Sequence, residues 1–210
     1  YLRRLLGMGV PMGLQTSITA IGSILLQASV NGLGSVAVAS VTAANKLNQL
    51  FGCVFDALGV SMSTYGGQNI GARRAERIFP GLRAGMVIGS VYSVLALLLI
   101  LFFGRPMMLL FVDSSETVII GQAYQFMVIQ AAFFIPLALV NIIRFSIQGM
   151  GYSAFAILAG VLEMIARAGV AFFLVPALGY LLACFASPMA WLLADAFLIF
   201  AYCRVMRHVR

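Results

Sequence analysis

The chain has 210 residues, of which 62% are hydrophobic and 9% charged, with a mean hydropathy of +1.05. Soluble domains carry roughly 25% charged and 45–50% apolar residues, so this composition belongs to a membrane protein and excludes soluble globular, disordered, collagen-like and disulfide-scaffold classes. Thirteen basic residues against six acidic ones give a net charge of +7; the basic residues cluster between apolar segments, which is a topology pattern rather than a nucleic-acid footprint.

Six apolar stretches lie at about 7–33, 36–62, 83–103, 118–147, 154–176 and 182–202. Each is long enough to cross a bilayer core, which takes about 20 helical residues. The expected fold is therefore all-α and polytopic, with six transmembrane helices. The first stretch carries Thr16, Ser23, Gln27 and Asn31 at helical spacing, and Pro11 and Gly13 near its start can loosen the entry. After Asn31-Gly32-Leu33-Gly34-Ser35, the second stretch places Thr42, Asn45, Gln49, Gly52 and Asp56 on one face, flanked by Lys46. A face this polar does not meet lipid comfortably; it lines a cavity or forms a hydrogen-bonded seam with another helix.

Gly66-Gly67 reads as a separator. The third helix carries Gly81, just ahead of the apolar stretch, with Gly85 and Gly89, a doubled GxxxG that admits a neighbouring backbone and points to packing rather than transport. The longer connection that follows predicts a short interfacial helix over Met107–Phe111, ahead of Asp113 and Glu116. In the fourth stretch Gln122, Gln125 and Gln130 precede Pro136, which predicts a kink; Asn141, Arg144 and Gln148 share one face beyond it. Glu163 and Arg167 of the fifth stretch are i and i+4 with the acid first, the favourable order for an ion pair. Such a pair either locks this helix to its neighbours or takes part in ion or substrate binding. Asp195 of the sixth lies at a similar depth and could join it with Arg144.

Arg3, Arg4, Arg73, Arg74, Arg77, Arg83, Arg204, Arg207 and Arg210 fall at one set of helix ends, and Arg105 alone at the other. The positive-inside rule then makes both ends of the segment cytoplasmic in a multi-pass protein of the cell membrane. Arg73, Arg74, Arg77 and Arg83 suit anionic lipid headgroups. Tyr1-Leu2-Arg3-Arg4 enters a helix without a secretory signal, and we expect a piece of a longer protein.

His208, in the basic tail, is the only histidine, Lys46 follows no Gly-rich loop, and Cys53, Cys184 and Cys203 show no metal-ligand spacing. The sequence thus argues against an enzyme, a metal site or a phosphate-cradling loop. What remains is a set of six charges inside the spans, Lys46, Asp56, Arg144, Glu163, Arg167 and Asp195, which sum to zero. Intramembrane ionisable groups are costly and commonly face a bundle interior or a water-filled cavity.

The ordered set Pro11-Met12-Gly13-Leu14-Gln15, Leu26-Gln27, Val30-Asn31-Gly32-Leu33-Gly34, Ala43-Ala44, Tyr65-Gly66-Gly67-Gln68-Asn69-Ile70-Gly71-Ala72, Glu76-Arg77 and Gln148-Gly149-Met150-Gly151 resembles the second half of a multidrug and toxic compound extrusion (MATE) transporter, essentially end to end. The resemblance implies one six-helix lobe of a twelve-helix protein, with residues 1–210 as the C-terminal lobe and the N-terminal lobe of the same polypeptide as its partner. It also implies an antiporter that exports lipophilic, often cationic drugs by alternating access, coupled to sodium or protons and without a further cofactor. Some sodium-coupled members carry an acid in the first and the fourth helix of this lobe; the corresponding helices here offer Gln15 and Gln27, and no acid in 118–147. Other members couple through an aspartate of the N-terminal lobe. The candidate binding residues are Gln15, Gln27, Asn31, Asn45, Lys46, Gln49, Asp56, Asn141, Arg144, Glu163 and Arg167. Asp56 and Glu163 are the candidate acids, with Lys46 and Arg167 as the groups that replace a departing cation. A lipid-linked precursor flippase of related architecture is the alternative, and it would want a broad basic cavity; a channel is a further one.

Overall fold

A computed structural model describes residues 2–209, with side chains from residue 9 onward. Arg210 and the side chains of Arg3 and Arg4, counted in the topology argument, lie outside the described part, as does Tyr1. The chain forms α1 (Leu2–Asn31), α2 (Ser35–Gly71), a 3-10 turn (Ala75–Arg77), α3 (Ile78–Met108), α4 (Thr117–Ala132), α5 (Phe134–Gly149), α6 (Ser153–Gly169), a π-helical turn (Val170–Leu174), α7 (Val175–Leu178) and α8 (Tyr180–Val209).

Each of the six apolar stretches falls on this helical series, with corrected boundaries. Among the described residues, Gly9–Asn31, Ala75–Met108, Ser153–Leu178 and Tyr180–Val209 are long and apolar enough to cross a membrane, and α4 with α5 makes a fifth span bent by 52°. At 37 residues α2 has the length, but its polar stripe keeps it from qualifying by composition. The protein is thus a multi-pass helical membrane protein. Lipid explains its exterior: Val87, Ile88, Val91, Leu95, Leu98 and Phe102 of α3 are all exposed, which would be costly in water.

Proline and glycine shape the helices, though not always as punctuation. The fourth stretch breaks at Phe133 (φ −107°, ψ 18°), because Pro136 has no N–H to give the carbonyl four residues back and its ring crowds that turn. Pro176 likewise ends α6 in the π-helical turn, where the Ser29 hydroxyl of α1 donates to the Ala171 carbonyl at 2.6 Å. Pro11 sits inside an unbroken α1. The separator expected at Gly66-Gly67 is absent, since α2 continues to Gly71; the interfacial helix expected at Met107–Phe111 is instead the end of α3 followed by a turn.

Those glycines let backbones meet. A Cβ on Gly66 would stand 3.2 Å from the Ser146 carbonyl oxygen, one on Gly67 3.1 Å from the Gly149 oxygen, and one on Gly149 would strike the Ser63 backbone. The α2 and α5 motifs are thus the two halves of one close crossing. Gly85 and Gly89 of α3 accept Met62, Ala138 and Ile142, and Gly81 accepts the Tyr65 ring, so the doubled GxxxG packs α3 on α2 and α5. On the other side α1 meets α6 through Gly22, against Met164, and Gly160, against Gln15. Small residues Ala183, Ala186, Ala190, Ala194 and Ala201 are fully buried along α8, which lets it sit between α4, α5 and α6.

Candidate functional site

Between the α1–α6 and α2–α5 pairs lies a cavity of about 310 Å³ lined by α1, α2, α4, α5 and α8. Its polar lining is amide and hydroxyl: Gln27, Asn45, Asn48, Gln49 and Gln130, with Ser23 and Ser187. Its apolar lining is half aromatic, from Phe126, Phe134 and Trp191, and half aliphatic, from Leu26, Val41 and Leu137. Among the described residues, no carboxylate lines it. Such a wall offers flat apolar contact together with neutral donors and acceptors, the mix that suits amphipathic aromatic molecules.

One wall is built on proline chemistry. Pro188 sits inside α8 and leaves the carbonyl four residues earlier, that of Cys184, without its helical donor. Gln130 of α4 fills the gap, its Nε2 donating to the Cys184 oxygen at 3.0 Å. Gln130 is therefore fixed in place by a backbone demand on a different helix.

At one end of the cavity is a layer of buried charge. Glu163 receives a hydrogen bond from Arg167 Nη2 at 2.8 Å on one carboxylate oxygen and from Arg144 Nη2 on the other. The three residues are 2%, 6% and 5% exposed, in that order. Arg167 also donates to the Thr19 carbonyl at 3.4 Å and to the Ser23 hydroxyl at 3.3 Å. Since Ser23 lines the cavity, the ion cluster joins the cavity wall there and ties together α1, α5 and α6. Asp195 of α8, 7% exposed, feels the charges of both Arg144 and Glu163. Measured along the helices at about 1.5 Å per residue, Arg144 lies about 10 Å beyond Leu137 and Asp195 about 6 Å beyond Trp191. Both displacements run toward the arginine-rich end, so the cluster is the cavity's floor.

The sequence candidates separate into groups. Gln27, Asn45 and Gln49 line the cavity; Arg144, Glu163 and Arg167 form its floor; Asn141 is buried on α5 one turn from Arg144. Gln15 is buried against Gly160 of α6 and lies outside the cavity lining. Asn31 is at the exposed end of α1, accepting from Gln27 Nε2 at 3.3 Å. Lys46 lies 5.4 Å from the centroid of the Phe111 ring, in a separate shallow recess shared with Asp113. The Ser115 N–H and hydroxyl hold the Asp113 carboxyl below the usual carboxylate range. Asp56 is exposed on the open face of α2, about 15 Å along the helix from Lys46. The floor therefore brings Arg167 to Glu163 as a pair, while the matching pair of Lys46 and Asp56 does not form. Among the described residues, no group of three or more His, Cys, Asp or Glu is placed to hold a metal ion.

Asn48, Phe126, Phe134, Ser187 and Trp191 are cavity residues that no sequence pattern singled out. They are scattered over α2, α4, α5 and α8, and only the tertiary arrangement gathers them. The orphaned carbonyl behind Pro188 is the one local signal that pointed toward a polar partner.

Comparison with known proteins gives concordant results. The MatE family model matches residues 11–173. The probable multidrug resistance protein YpnP of Bacillus subtilis (strain 168) is 27% identical over 139 residues, 66% of this chain and 31% of that protein. YoeA of the same organism, also a probable multidrug resistance protein, is 26% identical over 117 residues, 56% of this chain and 25% of that one. Among solved structures, MATE in complex with MaL6 superposes with a TM-score of 0.91 at 17% identity, over 99% of this chain and 47% of that chain. A MOP superfamily transporter from Pyrococcus furiosus superposes with a TM-score of 0.79 at 21% identity, over 94% and 44%. The matched part is thus less than a third of the curated relatives and less than half of the solved chains.

Proposed function

This chain belongs to the MatE family, and on that premise we propose that it forms the C-terminal lobe of a cation-coupled antiporter that exports lipophilic, often cationic drugs by alternating access across the cell membrane. The observation that carries this reading is the amide- and aromatic-lined cavity standing on a neutral ionic floor. A planar drug lies against Trp191, Phe126 and Phe134, and the amides of Gln27, Asn45 and Gln49 adapt to its polar groups beside the fixed amide of Gln130. The polar, exposed stripe of α2, with Thr42, Gln49 and Asp56, faces the other lobe rather than lipid, so the cavity closes only when both lobes are present.

The coupling ion, sodium or proton, acts by differential affinity: it binds one opening better than the other and shifts the population toward it. The exposed Arg73, Arg74, Arg77 and Arg83 anchor the cytoplasmic end on anionic headgroups. A flippase for lipid-linked precursors would need free basic groups in the cavity, whereas Arg144 and Arg167 are both engaged by Glu163.

The test is ethidium efflux by the full-length protein in vesicles, with a sodium or proton gradient imposed and the dye gradient held fixed. Efflux driven by either gradient supports the antiporter and identifies its ion. Well-folded protein that drives no efflux, but binds phosphate-bearing lipid, contradicts it in favour of the flippase.

A further inference from the structure

The floor of the cavity holds four charges, and they are not equivalent. Glu163 spends both carboxylate oxygens on Arg144 and Arg167; removing its charge would leave two buried guanidiniums facing each other, at a cost that forbids it as an exchangeable site. The two arginines hold their protons under all ordinary conditions. Asp195 is different. It is 7% exposed, and among the described residues its Oδ1 is buried with no hydrogen-bond partner, so it can take up a proton without dismantling the ion pairs around it.

The surroundings of Asp195 are few. From α5 comes Arg144, which attracts its charge; from α6 come Glu163, which repels it, and Arg167 beyond. α4, α7, the π-helical turn and the described side chains of α1 carry no charged residue. With Asp195 ionised the cluster sums to zero; with Asp195 protonated it is +1.

We propose that Asp195 is a proton-binding site, whose protonation turns the floor of the cavity from neutral to positive and thereby expels a cationic guest. The step is one of proton uptake alone: a hydronium ion at the open mouth gives its proton to a carboxylate oxygen, so that the C=O and O–H of the neutral acid form, and leaves as water; the reverse returns the proton to water at the other opening. Trp191 lines the cavity one turn from Asp195, so the charge change is felt where the guest lies. This proposal rests on the cavity being the cation's site, as read under Proposed function. A unit charge at about 10 Å in an effective dielectric of about 20 alters cation affinity by roughly tenfold.

The experiment uses the full-length transporter in two measurements. Infrared difference spectra between alkaline and acidic buffer report the carboxyl that becomes protonated, and this needs no substrate. Ethidium binding is then measured across the same range. In the wild type a neutral-carboxyl band appears in acid and ethidium affinity falls roughly tenfold; in Asp195→Asn the band is lost and the affinity is low and independent of pH. Asp195→Glu, which keeps the acid and moves the band, covers the case in which the asparagine variant fails to fold. A band unaltered in Asp195→Asn, or unmoved in Asp195→Glu, overturns the proposal while leaving the antiporter reading intact. A band that moves as expected in a protein that neither binds nor exports ethidium supports the proton site and contradicts the antiporter reading.

Discussion

Glu163 is the residue on which most depends. As a bidentate acceptor for two buried arginines it holds α5 to α6 and, through Arg167 and Ser23, α6 to α1. Glu163→Gln removes the one negative charge that, among the described residues, contacts both guanidiniums, and breaking a buried ion pair from one side costs about 3–5 kcal/mol. We expect a large drop in the thermal stability of the solubilised protein, measurable by static light scattering, whereas Lys46→Gln, at an exposed site over Phe111, should shift it little. The i, i+4 pairing of Glu163 with Arg167 was legible in the sequence because helix geometry alone produces it. The share taken by Arg144 was legible only as a matching depth in the membrane; that it takes the second oxygen of Glu163 is decided by the tertiary packing of a separate helix.

At the scale of elements, glycine and proline carry the account. Gly149→Ala forces a methyl into the Ser63 backbone and should abolish folded yield. Gly52→Ala, where an added Cβ meets nothing within 4 Å, should be neutral or stabilising by up to about 1 kcal/mol. Paired expression trials read the contrast directly. Gln130→Leu orphans the Cys184 carbonyl beneath Pro188 and should cost about 1–3 kcal/mol, seen as a lowered midpoint in the same thermal assay; if the midpoint does not move, the hydrogen bond is not holding α4 to α8. The bend near Pro136 and the packing role of Gly81, Gly85 and Gly89 were readable in advance, since each follows from the residue's own stereochemistry. Gly66-Gly67 was misread as a turn because a glycine pair serves a turn and a close crossing equally well, and only the partner helix decides between them.

For the whole molecule, the arginine asymmetry predicts an orientation that can be checked. In the full-length transporter, a cysteine placed at Ser115 should react with an impermeant thiol reagent in intact cells, and one at Arg207 only after permeabilisation; the opposite pattern would invert the topology. The helical class and the number of apolar stretches were legible because composition and span length are set by the bilayer. The cavity was legible only in part. Gln27, Asn45 and Gln49 stood out by spacing, but the aromatic wall of Phe126, Phe134 and Trp191 looked like ordinary apolar sequence until the bend between α4 and α5 and the central placement of α8 brought it together.

The central claim is that this chain's cavity is where the drug sits, and the chain has a single tryptophan, Trp191, on its wall. The direct measurement is fluorescence of Trp191 in the full-length transporter, with tryptophans elsewhere in the protein replaced by phenylalanine, during titration with ethidium. The account predicts saturable quenching of Trp191 that a second lipophilic cation, tetraphenylphosphonium, reverses by competition. A protein that exports ethidium under a gradient while Trp191 emission stays unchanged would place the binding site outside this cavity and contradict the account.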